Sequence, residues 1–189
     1  SPPASRSRTD MPQPLPRDPI ADARANWERH GWADVAAPMA AITAIMRTQQ
    51  ILLHRIEAVL KPFGLTFARY ELLALLGFSR TGSLAMSKAS RLLQVHPTSV
   101  TNTVDRLESA GLVGRSPHPT DGRTTLVSLT DAGRAVARDA TDALNGSVFG
   151  DSGFTDEDVE RLGEILGRFR GRAGDFAVGD GEGPTPSGP

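Results

Sequence analysis

Three observations predict a mainly α-helical chain with one small β-hairpin. Apolar residues recur at helical spacing in segments on both sides of the middle. Between them, two short β-branched runs flank a turn-rich loop, PHPTDG. Just before those runs lies a segment, 97–110, whose polar positions hold small hydroxyl and amide side chains where an ordinary solvated helix would carry Glu, Lys and Gln.

The elements follow in order. Residues 1–17, SPPASRSRTDMPQPLPR, are rich in Pro, Ser and Arg and lack an apolar stripe, so they are expected to be a disordered tail. Met11 stands as a possible internal start. Asp18 can cap a first short helix with Pro19 at its first position and Gly31 at its end. A longer helix is expected from Pro38, with Ile42, Ile45, Met46, Leu52, Leu53, Ile56, Val59 and Leu60 on its stripe. Pro62 and Gly64 stop it. Thr66 can cap a third helix carrying Phe67, Tyr70, Leu72, Leu73, Leu75 and Leu76. After the turn RTGS comes a short helix over 87–93, then a turn at 94–97, then the helix over 97–110 with Gly111 as its left-handed terminator. Residues 112–116 and 124–129 read as a two-stranded antiparallel hairpin. Thr130 can cap a long helix with Ala135, Val136, Ala140 and Leu144 on its stripe. Thr155 caps a last helix, with Asp156, Glu157 and Asp158 where the helix dipole favours negative charge. Its apolar side is Val159, Leu162, Ile165, Leu166 and Phe169. Residues 173–189 form a second Gly/Pro-rich tail. The expected organisation is one domain over 18–172: N-terminal helices over 18–61, a central module over 66–130, and C-terminal helices over 131–171.

Composition narrows the function. The chain has 189 residues, 39% of them hydrophobic, and no cysteine. Disulfides, thiol nucleophiles and thiolate metal sites are therefore excluded. No apolar run approaches a membrane span and no signal peptide opens the chain, so the expected location is the cytoplasm. The formal net charge is −1, but the charge is uneven. Between Met86 and Arg138 there are seven Lys or Arg against four acids; from Gly150 onward there are nine acids against four Arg. An anionic partner would meet the middle, unless the unevenness is only the scatter of a solvated surface. The sequence has no phosphate-loop, nucleophile-elbow or dinucleotide motif, so it does not read as an enzyme. His30, His54, His96 and His118 lack metal-ligand spacing, and no cofactor is expected.

On a helical wheel of the 97–110 segment, Val100, Val104 and Leu107 share a narrow arc. Thr98, Asn102 and Asp105 lie opposite, with Thr101 and Arg106 on the flanks. Short hydrogen-bonding side chains allow close approach to phosphates and to base edges in a major groove about 12 Å wide. With the short helix before it, the segment makes a helix-turn-helix. The hairpin tip, His118 to Arg123, then makes a wing that can carry Arg123 to a neighbouring groove. A winged helix used only for protein contact is the alternative.

The run LLQVHPTSVTNTVDRLESAGLVGRSPHPTDGRTTLVSLTDAGR resembles the winged helix-turn-helix core of the MarR family of bacterial transcriptional regulators. The matching pieces are V-T-x-x-V-x-x-L-E-x-x-G-L-V, then D-x-R at Asp121 and Arg123, then L-T-x-x-G from Leu129 to Gly133. The resemblance covers roughly residues 38–170. It implies a homodimer held by N- and C-terminal helices, bound to double-stranded DNA at a near-palindromic operator and commonly acting as a repressor. It also implies that Thr98, Ser99, Thr101, Asn102 and Arg106 contact DNA from the recognition helix and that Arg123 does so from the wing. Asp121 would organise the wing. Arg106 has a second reading, as a salt-bridge partner of Asp105, Glu108 or a neighbouring helix.

Members of this family often bind a small anionic aromatic molecule that weakens DNA binding. The early helix ARANWERHGW is similar to an extra helix in the family's urate-responsive branch. Trp27 matches that branch's Trp and Arg115 one of its ligand arginines. Glu71 stands where it has Asp, and Thr103 where it has a second Arg. The effector candidates this implies are Trp27, His30, Tyr70, Glu71 and Arg115. The other reading of Trp27 and Trp32 is that they pin the extra helix by packing.

Overall fold

The computed structural model describes residues 14–177. Most of the two segments expected to be disordered tails lies outside them. The chain divides into two compact units, one through Arg69 and one from Tyr70.

In the first unit, α1 spans Pro19–Arg29. Asp18 caps it as expected, its carboxylate accepting from Ile20 N at 2.9 Å. Gly31 ends the helix in the left-handed region at φ +88°. The elbow closes through Trp32 N, which donates to the Trp27 carbonyl at 3.0 Å. Helix α2 spans Ala33–Leu60 and so begins five residues before the expected Pro38. Val35 N donates to the Trp32 carbonyl at 3.2 Å, and Asp34 sits in the first turn, so the helix starts without the proline. Pro38 lies in the second turn, where its missing N–H forfeits one ladder bond. Ala36, Ile56 and Leu60 are buried, whereas Ile42 is 63% exposed and Ile45 and Met46 are also exposed. Three of the eight residues of the predicted stripe therefore lack cover within one chain.

The second unit holds the rest. Thr66, at the end of the first unit, caps α3, Phe67–Phe78. Tyr70, Leu72, Leu73 and Leu76 of that helix are buried. Helices α4 (Met86–Leu93) and α5 (Pro97–Ser109) follow, then β2 (Val113–Pro117) and β3 (Thr125–Leu129). The hairpin gains a third strand, β1 (Ser83–Ala85), in the order β1-β3-β2, all antiparallel. The sequence does not reveal it, because three residues cannot display a period-two pattern. The register pairs Ser83 with Ser128, whose hydroxyls bond at 2.8 Å, and Arg115 with the buried Val127.

Helix α6 spans Asp131–Leu144, with Thr130 capping it by accepting from Gly133 N at 3.0 Å. The same hydroxyl donates to the Gly111 carbonyl at 2.7 Å. The sequence predicts a regular helix to about residue 148. Instead it relaxes into a π-helical turn over Asn145–Phe149. Helix α7, Asp156–Arg172, starts with a full capping box between Thr155 and Asp158. None of its residues is buried, and Phe169 is 70% exposed.

Candidate nucleic-acid interface

Helices α4 and α5 are joined by a short turn, and local bonds fix its shape. The Ser90 hydroxyl, itself buried, donates to the Val95 carbonyl at 2.7 Å, and Val95 N donates back to the Ser90 carbonyl at 3.2 Å. Gln94 takes the left-handed conformation at φ +55°, unusual for a residue with a side chain. Its amide donates to the Asp175 carbonyl at 2.6 Å. His96 caps α5, with Nδ1 accepting from Thr98 N at 3.2 Å, and Pro97 sits at the first helical position. The capping role of His96 escapes the sequence reading; its place just before Pro97 was the available signal.

Val100, Val104 and Leu107 are buried as the wheel predicts. They turn the opposite face of α5 outward. Thr98, Ser99, Thr101, Asn102 and Arg106 are all exposed. Thr101 bonds back to the Pro97 carbonyl at 3.1 Å, and Thr103 to the Ser99 carbonyl at 2.9 Å. Among the described residues, the side chains of Thr98, Ser99, Asn102 and Arg106 make no hydrogen bond or ion pair. The salt bridges considered for Arg106 do not form. Asp105 and Glu108 are taken by Arg115 instead: Nη2 reaches Asp105 Oδ1 at 2.5 Å, and Nη1 binds Glu108 Oε2. Partial burial works against the Arg115 charge, but the two carboxylates outweigh it and raise its pKa above the ordinary value.

The wing is tied by Asp121. Its carboxylate accepts from the Thr124 hydroxyl at 2.8 Å and from Arg123 N at 3.1 Å. Those bonds, the Thr124 hydroxyl first, hold the Asp121 pKa below the ordinary carboxylate value. His118 N closes the loop on the Thr124 carbonyl at 2.9 Å. The guanidinium of Arg123 is exposed and unpaired among the described residues. Arg123 and Thr101 line one cleft of about 440 Å³ together with Met86, Ser87, Pro97 and Val100. Recognition helix and wing thus share a groove with a cation on one wall and the start of α5 on the other.

The effector candidates fall in both units. In the first, the Trp27 and Trp32 rings lie 5.5 Å apart, and His30 stacks on Trp32 at 6.0 Å while its Nδ1 meets the Asn26 carbonyl at 2.7 Å. In the second, Tyr70 is buried with its hydroxyl 3.0 Å from that of Thr141. Packing around the Glu71 carboxyl raises its pKa, although the residue as a whole is accessible. Arg115 is committed to Asp105 and Glu108, pairings that lie across a turn and left no periodic signal. Among the described residues no group of His, Cys, Asp and Glu could hold a metal, and no helix is long and apolar enough to cross a membrane.

A helix-turn-helix with a free polar face and a wing carrying an unpaired arginine defines a winged-helix DNA-binding protein. The MarR family model matches residues 65–125. The chain is 53% identical to Sco5413, a MarR family transcriptional regulator of Streptomyces coelicolor, over 74% of this chain and 97% of that one, with a TM-score of 0.68. It is 26% identical to Sco3205 of the same organism, a MarR family regulator solved in complex with DNA, over 70% and 88%, with a TM-score of 0.63. It is 31% identical to the HTH-type transcriptional repressor Mb2911 of Mycobacterium bovis, over 51% of this chain and 68% of that protein. The chain belongs to the MarR family and is a DNA-binding transcriptional regulator, not an enzyme.

Proposed function

We propose that the chain works as a cytoplasmic homodimer, residues 18–172 of each copy acting as one functional domain, and represses transcription from a near-palindromic operator. The free polar face of α5, set beside Arg123, carries this reading. Each subunit lays the start of α5 in a major groove, where Thr98, Ser99, Thr101, Asn102 and Arg106 meet bases and phosphates. Arg123 follows the backbone into the neighbouring minor groove, on a loop that Asp121 holds in shape. The uncovered apolar faces of α2 and α7 supply the dimer contact. Two-fold symmetry then sets the half-sites roughly 10 bp apart. Footprinting on the DNA upstream of its own gene tests this: two protected half-sites one turn apart are expected, and a single protected half-site contradicts it.

A small anionic or aromatic effector releases the operator by binding the two conformations of the dimer unequally. The residues assigned to it are Trp27, His30, Tyr70, Glu71 and Arg115. Arg115 would exchange its two carboxylates for the ligand's. Trp27 and Arg115 support a urate-like ligand; Thr103, where that branch has an Arg, weighs against urate itself. A thermal-shift screen of phenolic acids, purines and small carboxylates tests the assignment, since a ligand of the folded state raises Tm by mass action. A hit that persists unchanged in Arg115→Ala removes that residue from the site.

A further inference from the structure

Arg115 belongs to β2, not to the recognition helix, yet it holds two carboxylates of that helix. Asp105 and Glu108 are three residues apart and so share one side of α5. The guanidinium is planar and presents its donors in a fixed fork. Gripping two points on one helix side from a neighbouring strand restrains both the rotation of the helix about its axis and its slide along it. The strand is a firm base, because Arg115 is paired in register with Val127, which is fully buried. The apolar seat of α5 is narrow, only Val100, Val104 and Leu107, and a narrow seat leaves rotation weakly specified. Asp105 and Glu108 also place negative charge on a helix that must approach phosphates. The Arg115 side chain is only 25% exposed and faces those acids, whereas Arg106 and Arg123 are exposed and unpaired among the described residues.

We infer that Arg115 is a positioning residue for operator recognition: it sets the rotation of α5 through Asp105 and Glu108 and does not itself contact DNA. This rests on the reading of α5 as the DNA-reading helix. The two carboxylates of this fork are 55% and 42% exposed, and ion pairs so open to solvent add little to stability, so variants of this fork remain folded and their Tm stays near that of the wild type.

The test compares two variants of opposite charge change by anisotropy, on a footprinted operator duplex and on a scrambled duplex of the same composition, across a salt series. Arg115→Ala removes a positive charge; Asp105→Asn/Glu108→Gln removes two negative ones. Simple electrostatics predicts weaker binding for the first and tighter binding for the second. Loss of positioning predicts that both lose preference for the operator over the scrambled duplex, by about tenfold, the scale of one misplaced base contact. Arg115→Lys, which offers a single point charge, recovers only part of that preference. The salt slope of Arg115→Ala stays at the wild-type value, because no phosphate contact is lost. Operator preference that is unchanged in both variants, or that rises in the carboxamide variant, overturns the inference; so does a slope smaller by about one in Arg115→Ala. A wild type that does not prefer the operator overturns the DNA-reading assignment itself, an outcome distinct from a wild type that discriminates while the variants match it.

Discussion

Arg123 and Arg115 are both arginines near the recognition helix, and their surroundings give them different work. Arg123 is unpaired on the wing among the described residues and free to meet a phosphate; Arg115 is spent on two carboxylates. Sequence could place Arg123, because its loop lies between two readable strands. It could not show that Arg115 is paired with Glu108 and Asp105, because those partners lie seven and ten residues back across a turn. Asp121, to which the family resemblance gives the wing-organising role, accepts from the Thr124 hydroxyl and from Arg123 N, and its pH behaviour follows. Its folded pKa lies below the unfolded value, so its contribution is present above about pH 4 and is lost as pH falls through the folded pKa. Titration of its carboxyl by NMR is expected to give a midpoint below the ordinary Asp value, with Thr124 hydroxyl protection lost on the same curve. In Asp121→Asn, which loses the charge behind both bonds, exchange at Arg123 N speeds up over the whole pH range.

At the scale of elements, the Leu129–Gly133 motif has a steric cause. A Cβ on Gly133 would lie 1.9 Å from the Leu112 carbonyl oxygen, a backbone atom that cannot move aside. Thr130 N donates to that same carbonyl at 3.2 Å, so strand, helix start and the end of α5 meet at one corner. Gly133→Ala is expected to cost about 3 kcal/mol or more, read as a fall in the denaturant midpoint. Thr155→Ala, which removes the capping box of α7, is expected to cost about 1 kcal/mol by the same measurement. The caps at Asp18, Thr66, Thr130 and Thr155 were all readable, because a cap is a local pattern of one or two residues. Strand β1 was not, because it is a strand only by virtue of β3, more than forty residues away. The start of α2 was misplaced because a proline invites the reading of a first turn, yet a helix begins wherever its carbonyls find donors.

For the whole molecule, two helices each carry exposed apolar residues. Ile42, Ile45 and Met46 on α2, and Val159, Ile165 and Phe169 on α7, stand exposed in one chain. Their helical spacing was plain in the sequence, but periodicity tells only that a face is covered, not whether the cover comes from the same chain. In the proposed homodimer a second copy covers them. Phe169→Asp is therefore expected to shift light-scattering mass from dimer towards monomer and to abolish operator binding, while the helical CD signal is kept. The most direct measurement of the central claim is a salt-series anisotropy titration of the wild type and Arg123→Ala on the upstream DNA. Specific binding by the wild type with a steep salt dependence, and a weaker complex in Arg123→Ala with a slope smaller by about one for each Arg removed, is the expected result. Binding that is insensitive to salt, or identical in affinity and slope for the two proteins, would contradict it.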